Sequence, residues 1–172
     1  MVTNCNLPPG GSGLVRKPDL ALVNIDQLTA SEWGCIYAIA KITNMESRGQ
    51  IRDTIHQKAL IIFKTQSHRR FVPSIGIARD HVRLYLHDSA GEIFTEWNIQ
   101  REMKEGMEEL VRFLAGLMLS DREHLGYDKM IVPDAEGCVV KIMVEGKEYD
   151  VCDQLFKSQA LRGCTTQCWQ VQ

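Results

Sequence analysis

A lone carboxylate and an ammonium group occupy two neighbouring apolar runs of this chain. Asp19 follows Pro18 and opens the run Leu20-Ala21-Leu22-Val23. Lys41 and Thr43 end a second run that starts at Trp33-Gly34-Cys35-Ile36. If the two runs pair, Lys41 comes to Asp19 and forms an ion pair across strands. A divalent cation that activates water for phosphodiester hydrolysis needs more than one hard oxygen ligand. Glu46 is the nearest further carboxylate, and its spacing puts it out of step with one face of a short strand. Asp19 can also serve as a solvated carboxylate at a strand start. No catalytic residue, metal or cofactor is therefore expected.

A second chemistry lies in the arginines. Arg69, Arg70 and Arg83, with His68 and Arg79 nearby, are candidates for contacting phosphates. The competing reading is a solvated strand start and turn, which is favoured. Tyr85 and Trp97 could stack a base or form a cross-strand aromatic pair. The histidines at 56, 81, 87 and 124 show no Ser or Cys partner arrangement for a hydrolytic triad. Cys164 and Cys168 are the only close cysteine pair, and a zinc site would need two further ligands. The six cysteines read as reduced thiols, with Cys35 and Cys138 as small core residues.

The elements that position these groups follow from periodicity. Leu20–Val23 and Cys35–Ile42 read as strands, the second too continuously apolar to have a wet face. Ile51, Ile55, Ala59, Ile62 and Phe63 share one face of a helix over Ile51–Thr65, with Arg52 and His56 off it. Strands are expected at Phe71–Ala78, Val82–Leu86 and Ile93–Ile99, the last two joined by a turn at Asp88-Ser89-Ala90-Gly91. A second helix runs from Met103 to Leu119, its Met- and Leu-rich stripe read as core rather than as a partner groove. Val139–Glu145 and Lys147–Val151 form a hairpin through Glu145-Gly146.

The whole chain of 172 residues suits one domain, and its 44% apolar and 24% charged residues are ordinary for a globular protein. A net charge of −2 provides no global field for nucleic acid. No apolar run is long enough to span a membrane, and no signal peptide is evident, so a cytoplasmic or nuclear location is expected.

The layout from Pro18-Asp19 to Lys41-Ile42-Thr43 resembles the PD…(D/E)xK signature of metal-dependent nucleases, with Lys41 in the acidic position and Thr43 in the Lys position. Further motifs appear in order: Trp33 with its strand, Phe63-Lys64-Thr65-Gln66, Arg69-Arg70-Phe71-Val72 and Val82-Arg83-Leu84-Tyr85. They continue with Phe113-Leu114-Ala115-Gly116-Leu117-Met118, Leu125-Gly126-Tyr127-Asp128, and Arg162-Gly163 through Cys168-Trp169. Together they resemble the N-terminal domain of the fungal-type protein kinases, upstream of the kinase lobe. The resemblance implies an α/β fold, a mixed sheet flanked by helices with a restriction-endonuclease-like core. Leu7-Pro8-Pro9-Gly10-Gly11-Ser12-Gly13 marks 1–13 as a flexible tail. The resemblance covers a single nuclease-like domain over 14–169 and implies an end at 170–172 where a kinase lobe follows in the family. None of the kinase motifs is present: no Gly-rich phosphate loop, no strand Lys with its Glu, no HRD and no DFG. The function this implies is a non-catalytic protein-interaction or regulatory module with a degenerate nuclease site at Asp19, Lys41 and Thr43, and a protein as partner. The alternatives are a metal-dependent nuclease with a rearranged site, or a nucleic-acid-binding module without cleavage.

Overall fold

A computed structural model describes residues 2–4, 17–23, 33–44, 48–79, 81–98, 103–134, 138–157 and 167–172. Six strands form one sheet in sequence order: β1 (Val2–Asn4), β2 (Leu20–Val23), β3 (Ile36–Thr43), β4 (Phe71–Ala78), β5 (His81–Asp88) and β6 (Glu92–Asn98). Only β3 and β4 pair in parallel, so the sheet is mixed. Parallel neighbours need a long crossover. It is supplied by α1 (Arg48–Thr65), which returns the chain to the start of β4.

Alternation along the strands divides the core between two helices. Ala21, Ile39 and Val72 face α1, where they meet Ala59, Ile62 and the buried Trp33. Ile75, Val82, Leu84 and Trp97 face the other way, against Leu110, Phe113 and Leu114 of α2 (Met103–Leu119). Gly76 lets α1 sit low on β4. A Cβ there would lie 3.0 Å from Ile55 Cδ1 and 3.1 Å from Tyr85 Cε2. The carboxamide of Gln66, at the end of α1, then fastens the crossover. Its Nε2 donates to the carbonyls of Trp33 and Ile36, each at 2.8 Å.

A second, antiparallel sheet follows, ordered β10-β9-β8-β7: β7 (Ile131–Pro133), β8 (Val139–Val144), β9 (Lys147–Lys157) and β10 (Gln167–Val171). The expected hairpin is its centre. Glu145 and Gly146 both take positive φ, 50° and 78°, as a tight two-residue hairpin turn demands. The sheet extends well beyond that hairpin, because β9 runs on to Lys157 and gains β10 as a partner.

Several expectations change. Residues 2–4 of the stretch read as a tail form an edge strand, since β2 offers an open edge to Val2-Thr3-Asn4. Residues 170 and 171 belong to β10. Cys35 is buried, but Cys138 is exposed at the start of β8. The α2 stripe is only partly core: Leu110 and Leu114 pack on the sheet, while Met107, Val111, Met118 and Leu119 are exposed. Ile99 lies outside the described residues. Among the described residues no helix is long and apolar enough to cross a membrane.

Gln66 is 1% exposed, so replacing it with Leu strands two buried carbonyls without a donor. Gln66→Leu should cost about 2–4 kcal/mol, the expected penalty for two unsatisfied buried acceptors. Urea denaturation measures this directly. An unchanged midpoint would show that the crossover holds without its fastening.

Candidate functional site

The β2–β3 register places Leu20 opposite Ala40, and hence Asp19 opposite Lys41. Lys41 Nζ stands 3.3 Å from Asp19 Oδ2, with the two side chains 18% and 30% exposed. The same oxygen accepts the Ile42 N–H at 2.7 Å, and the Asp19 N–H donates to the Ala40 carbonyl at 3.2 Å. The ammonium group and the strand backbone thus hold Asp19. Thr43 follows two residues on, along the same face, and its carbonyl accepts the Arg79 N–H at 3.1 Å. Among the described residues, a divalent cation at this place would find the Asp19 carboxylate already held by an ammonium group, which it would have to displace. Glu46 lies outside the described residues.

The arginine candidates do not form a patch. Arg69 is buried, not a surface cation. Its Nη2 donates to the Tyr37 carbonyl at 2.7 Å, and its guanidinium lies 4.2 Å over the Tyr127 ring. Burial pulls the Arg69 pKa below its ordinary value, with Tyr127 pulling the other way. Arg122 also lies over that ring, at 4.5 Å, so two cations share one aromatic face system. Arg70 is exposed, its N–H donating to the Gly126 carbonyl at 2.7 Å. Arg83 is tied to the Glu96 carboxylate and stacks 4.9 Å over Phe94. Arg83 pairs with Gly76, six residues along from Arg70, or roughly 20 Å at strand rise. The three candidate phosphate contacts therefore lie apart: Arg69 is in the core, Arg83 is paired with Glu96, and Arg70 is exposed and remote from Arg83. Tyr85 and Trp97 are not a pair either. They sit on opposite faces of the sheet, and Tyr85 packs on Phe94 with ring centroids 5.8 Å apart.

A different cluster appears at the β5–β6 end, on the α1 face. His87 of β5 lies opposite Glu92 of β6. Above them, Arg52 and His56 are one turn apart on α1, so both reach Glu92. Arg52 Nε is 2.5 Å from Oε1, while His56 Nδ1 is 3.8 Å and His87 Nδ1 is 3.6 Å from Oε2. Tyr85 stacks on the His87 ring, with centroids 5.5 Å apart and planes 13° apart. His87 is fully buried, and burial together with neighbouring His56 lowers its pKa to about 4. It is a neutral imidazole at pH 7. The spacing argument missed this group because it looked for a nucleophile beside each histidine. The available signal was alternation: Arg83, Tyr85 and His87 share the face opposite Val82, Leu84 and Leu86, so His87 had to point at α1.

In comparison with known proteins, a family model described as fungal protein kinase matches residues 17–172. No curated protein and no solved structure matches the chain.

The geometry ranks the two members of the Asp19 pair. Lys41→Ala should cost no more than about 1 kcal/mol, as partly exposed ion pairs do. Asp19→Ala also strands the Ile42 N–H and should cost roughly 1–3 kcal/mol, in the range of a hydrogen bond to a charged group. Denaturant melts of the two variants check the order; the reverse order would mean that Lys41 is the structural member.

Proposed function

The chain belongs to the fungal protein kinase family, and on that premise we propose that these residues act as a non-catalytic protein-interaction or regulatory module. The observation that carries the reading is the Asp19 carboxylate, whose Oδ2 is taken up by Lys41 and the Ile42 N–H. We read the β2–β3 pair and the parallel β3–α1–β4 crossover as a restriction-endonuclease-like core whose metal position has been replaced by an ion pair. Kinase chemistry has no basis in these 172 residues, which contain no HRD, no DFG and no Gly-rich phosphate loop.

Support for an interaction role comes from α2. Met107, Val111 and Met118 fall on one stripe of that helix and are 43%, 59% and 61% exposed. Beside the stripe lies an apolar cavity of about 120 Å³ between α2 and the sheet, lined by residues such as Leu20, Leu22, Ile42, Leu114 and Leu117. Exposed apolar surface of this kind suits an apolar segment of a protein partner. Nucleic acid is the weaker alternative, since Arg69 and Arg83 are committed within the fold.

Purified protein should neither cleave DNA or RNA with Mg²⁺ or Mn²⁺ nor transfer phosphate from ATP. Cleavage that persists through purification and vanishes in Asp19→Asn would support the enzyme reading instead. The double variant Lys41→Glu, Thr43→Lys tests the same geometry in reverse. It should gain divalent-cation affinity if the strands keep a nuclease arrangement, and no gain in a folded variant counts against that core. For the α2 stripe, Val111→Glu with Met118→Glu should leave folding intact and remove partner binding.

A further inference from the structure

We propose that His56, His87 and Glu92 form a binding site for a divalent transition-metal ion, with Zn²⁺ as its simplest occupant. The site is separate from Asp19 and does not depend on how the Asp19 pair is interpreted. One ligand atom from each of the three residues can be chosen so that all lie within 4.8 Å of one another. Two imidazoles and one carboxylate are a ligand set that suits zinc and other first-row ions, with one position left for water.

Distance separates this reading from its alternatives. A direct imidazole–carboxylate hydrogen bond spans about 2.7–3.2 Å. Glu92 Oε2 stands 3.6 Å from His87 Nδ1 and 3.8 Å from His56 Nδ1, too far for such bonds. A bridging water would hold the two groups roughly 4.5 Å or more apart, from two hydrogen bonds of ordinary length. A tetrahedral ion with bonds of about 2.0–2.2 Å holds its ligands roughly 3.4 Å apart. The observed separations are a few tenths of an ångström above that value.

Polar accounting points the same way. Among the described residues, His56 Nδ1, both His87 ring nitrogens and Glu92 Oε2 are buried without a hydrogen-bond partner. Buried polar groups in native proteins are nearly always satisfied. His87 is the strongest case, because its side chain is only 1% exposed. One ion would satisfy an atom on each of the three residues at once. The His87 imidazole needs no deprotonation at neutral pH, since burial and His56 keep it neutral.

Neighbouring groups that would not touch the ion hold its three ligands in position. Arg52 takes Glu92 Oε1 and leaves Oε2 to the histidines. Tyr85 fixes the His87 ring plane by stacking. Asp88 Oδ1 accepts the N–H groups of Ala90 and Gly91 at 2.8 and 2.9 Å, closing the turn that sets Glu92 opposite His87. His56 is the least buried of the three, its side chain 26% exposed, so an ion would enter from its side. The ion would pin α1 to the β5–β6 hairpin and so stabilise the folded chain by mass action.

The test uses chelator-stripped protein with its cysteines alkylated, so that thiols take no part. Calorimetry with Zn²⁺ should show one site per chain, and Co²⁺ should give the visible absorption of a low-coordinate N/O site. Zn²⁺ should also raise the melting temperature. His56→Gln should weaken Zn²⁺ binding by more than the roughly 10–100-fold that loss of a group merely orienting a ligand costs. Glu92→Gln should do the same, and His124→Ala should bind as the unaltered protein does. His87→Ala is the most direct variant, but it opens the core, so the partly exposed His56 carries the decision if that variant fails to fold. Absence of one-site binding in the folded, alkylated protein overturns the site. Binding undiminished in both His56→Gln and Glu92→Gln also overturns it.

Discussion

The parallel pairing of β3 with β4 is the constraint on which the rest of the structure depends. It is the one junction in the large sheet that a short turn cannot make. Everything between Thr43 and Phe71 serves to make it: α1 crosses the sheet, Gly76 admits α1 closely, and Gln66 binds the helix end to the carbonyls of Trp33 and Ile36. The cost of burying a primary amide is offset because its two donors meet two acceptors that would otherwise be unpaired. With that crossover fixed, Asp19 meets Lys41 at one end of the α1 face, and His56 arrives over His87 and Glu92 at the other.

The two sites show how differently burial treats charge. The Asp19–Lys41 pair is partly exposed and is helped by a strand N–H, so water and backbone share the solvation cost. The His56–His87–Glu92 group lies under α1, with Arg52 as the cation nearest to its carboxylate. There the imidazole of His87 avoids charge altogether. Arg69 shows a third solution: a guanidinium inside the fold, satisfied in part by the Tyr37 carbonyl and in part by the face of Tyr127. Its planar, weakly hydrated head makes that tolerable where an ammonium group would not be.

Much of this was legible in the sequence. Strand alternation in Val82–Leu86 and helix periodicity from Ile51 are local signals, and both elements stand where they were expected. The Asp19–Lys41 approach was also legible, because neighbouring antiparallel strands fix it by register. The restriction-endonuclease-like core is a finer claim, resting on resemblance. What sequence could not supply was long-range company. Nothing near Arg69 announces Tyr127, nothing in Val139–Val151 announces β10, and the run around Cys138 is as apolar as a core strand although the thiol is exposed. The α2 stripe illustrates the same limit: periodicity identifies an apolar face but not how much of it the sheet covers.

That partial cover gives the sheet two unlike faces. Under α1 the core is interrupted by Gln66, His87 and Glu92, whose polar atoms require specific partners and therefore one arrangement of helix on sheet. Under α2 the contacts are apolar and non-directional, from Ile75, Val82, Leu84 and Trp97 to Leu110 and Leu114, and they leave the cavity beside Leu117 unfilled. Non-directional packing tolerates adjustment in a way that a polar network does not. The α1 helix could not move without stranding Gln66 and the carbonyls it holds. The α1 face is therefore the one whose seating on the sheet is fixed by directional polar bonds, and the α2 face is held by apolar packing.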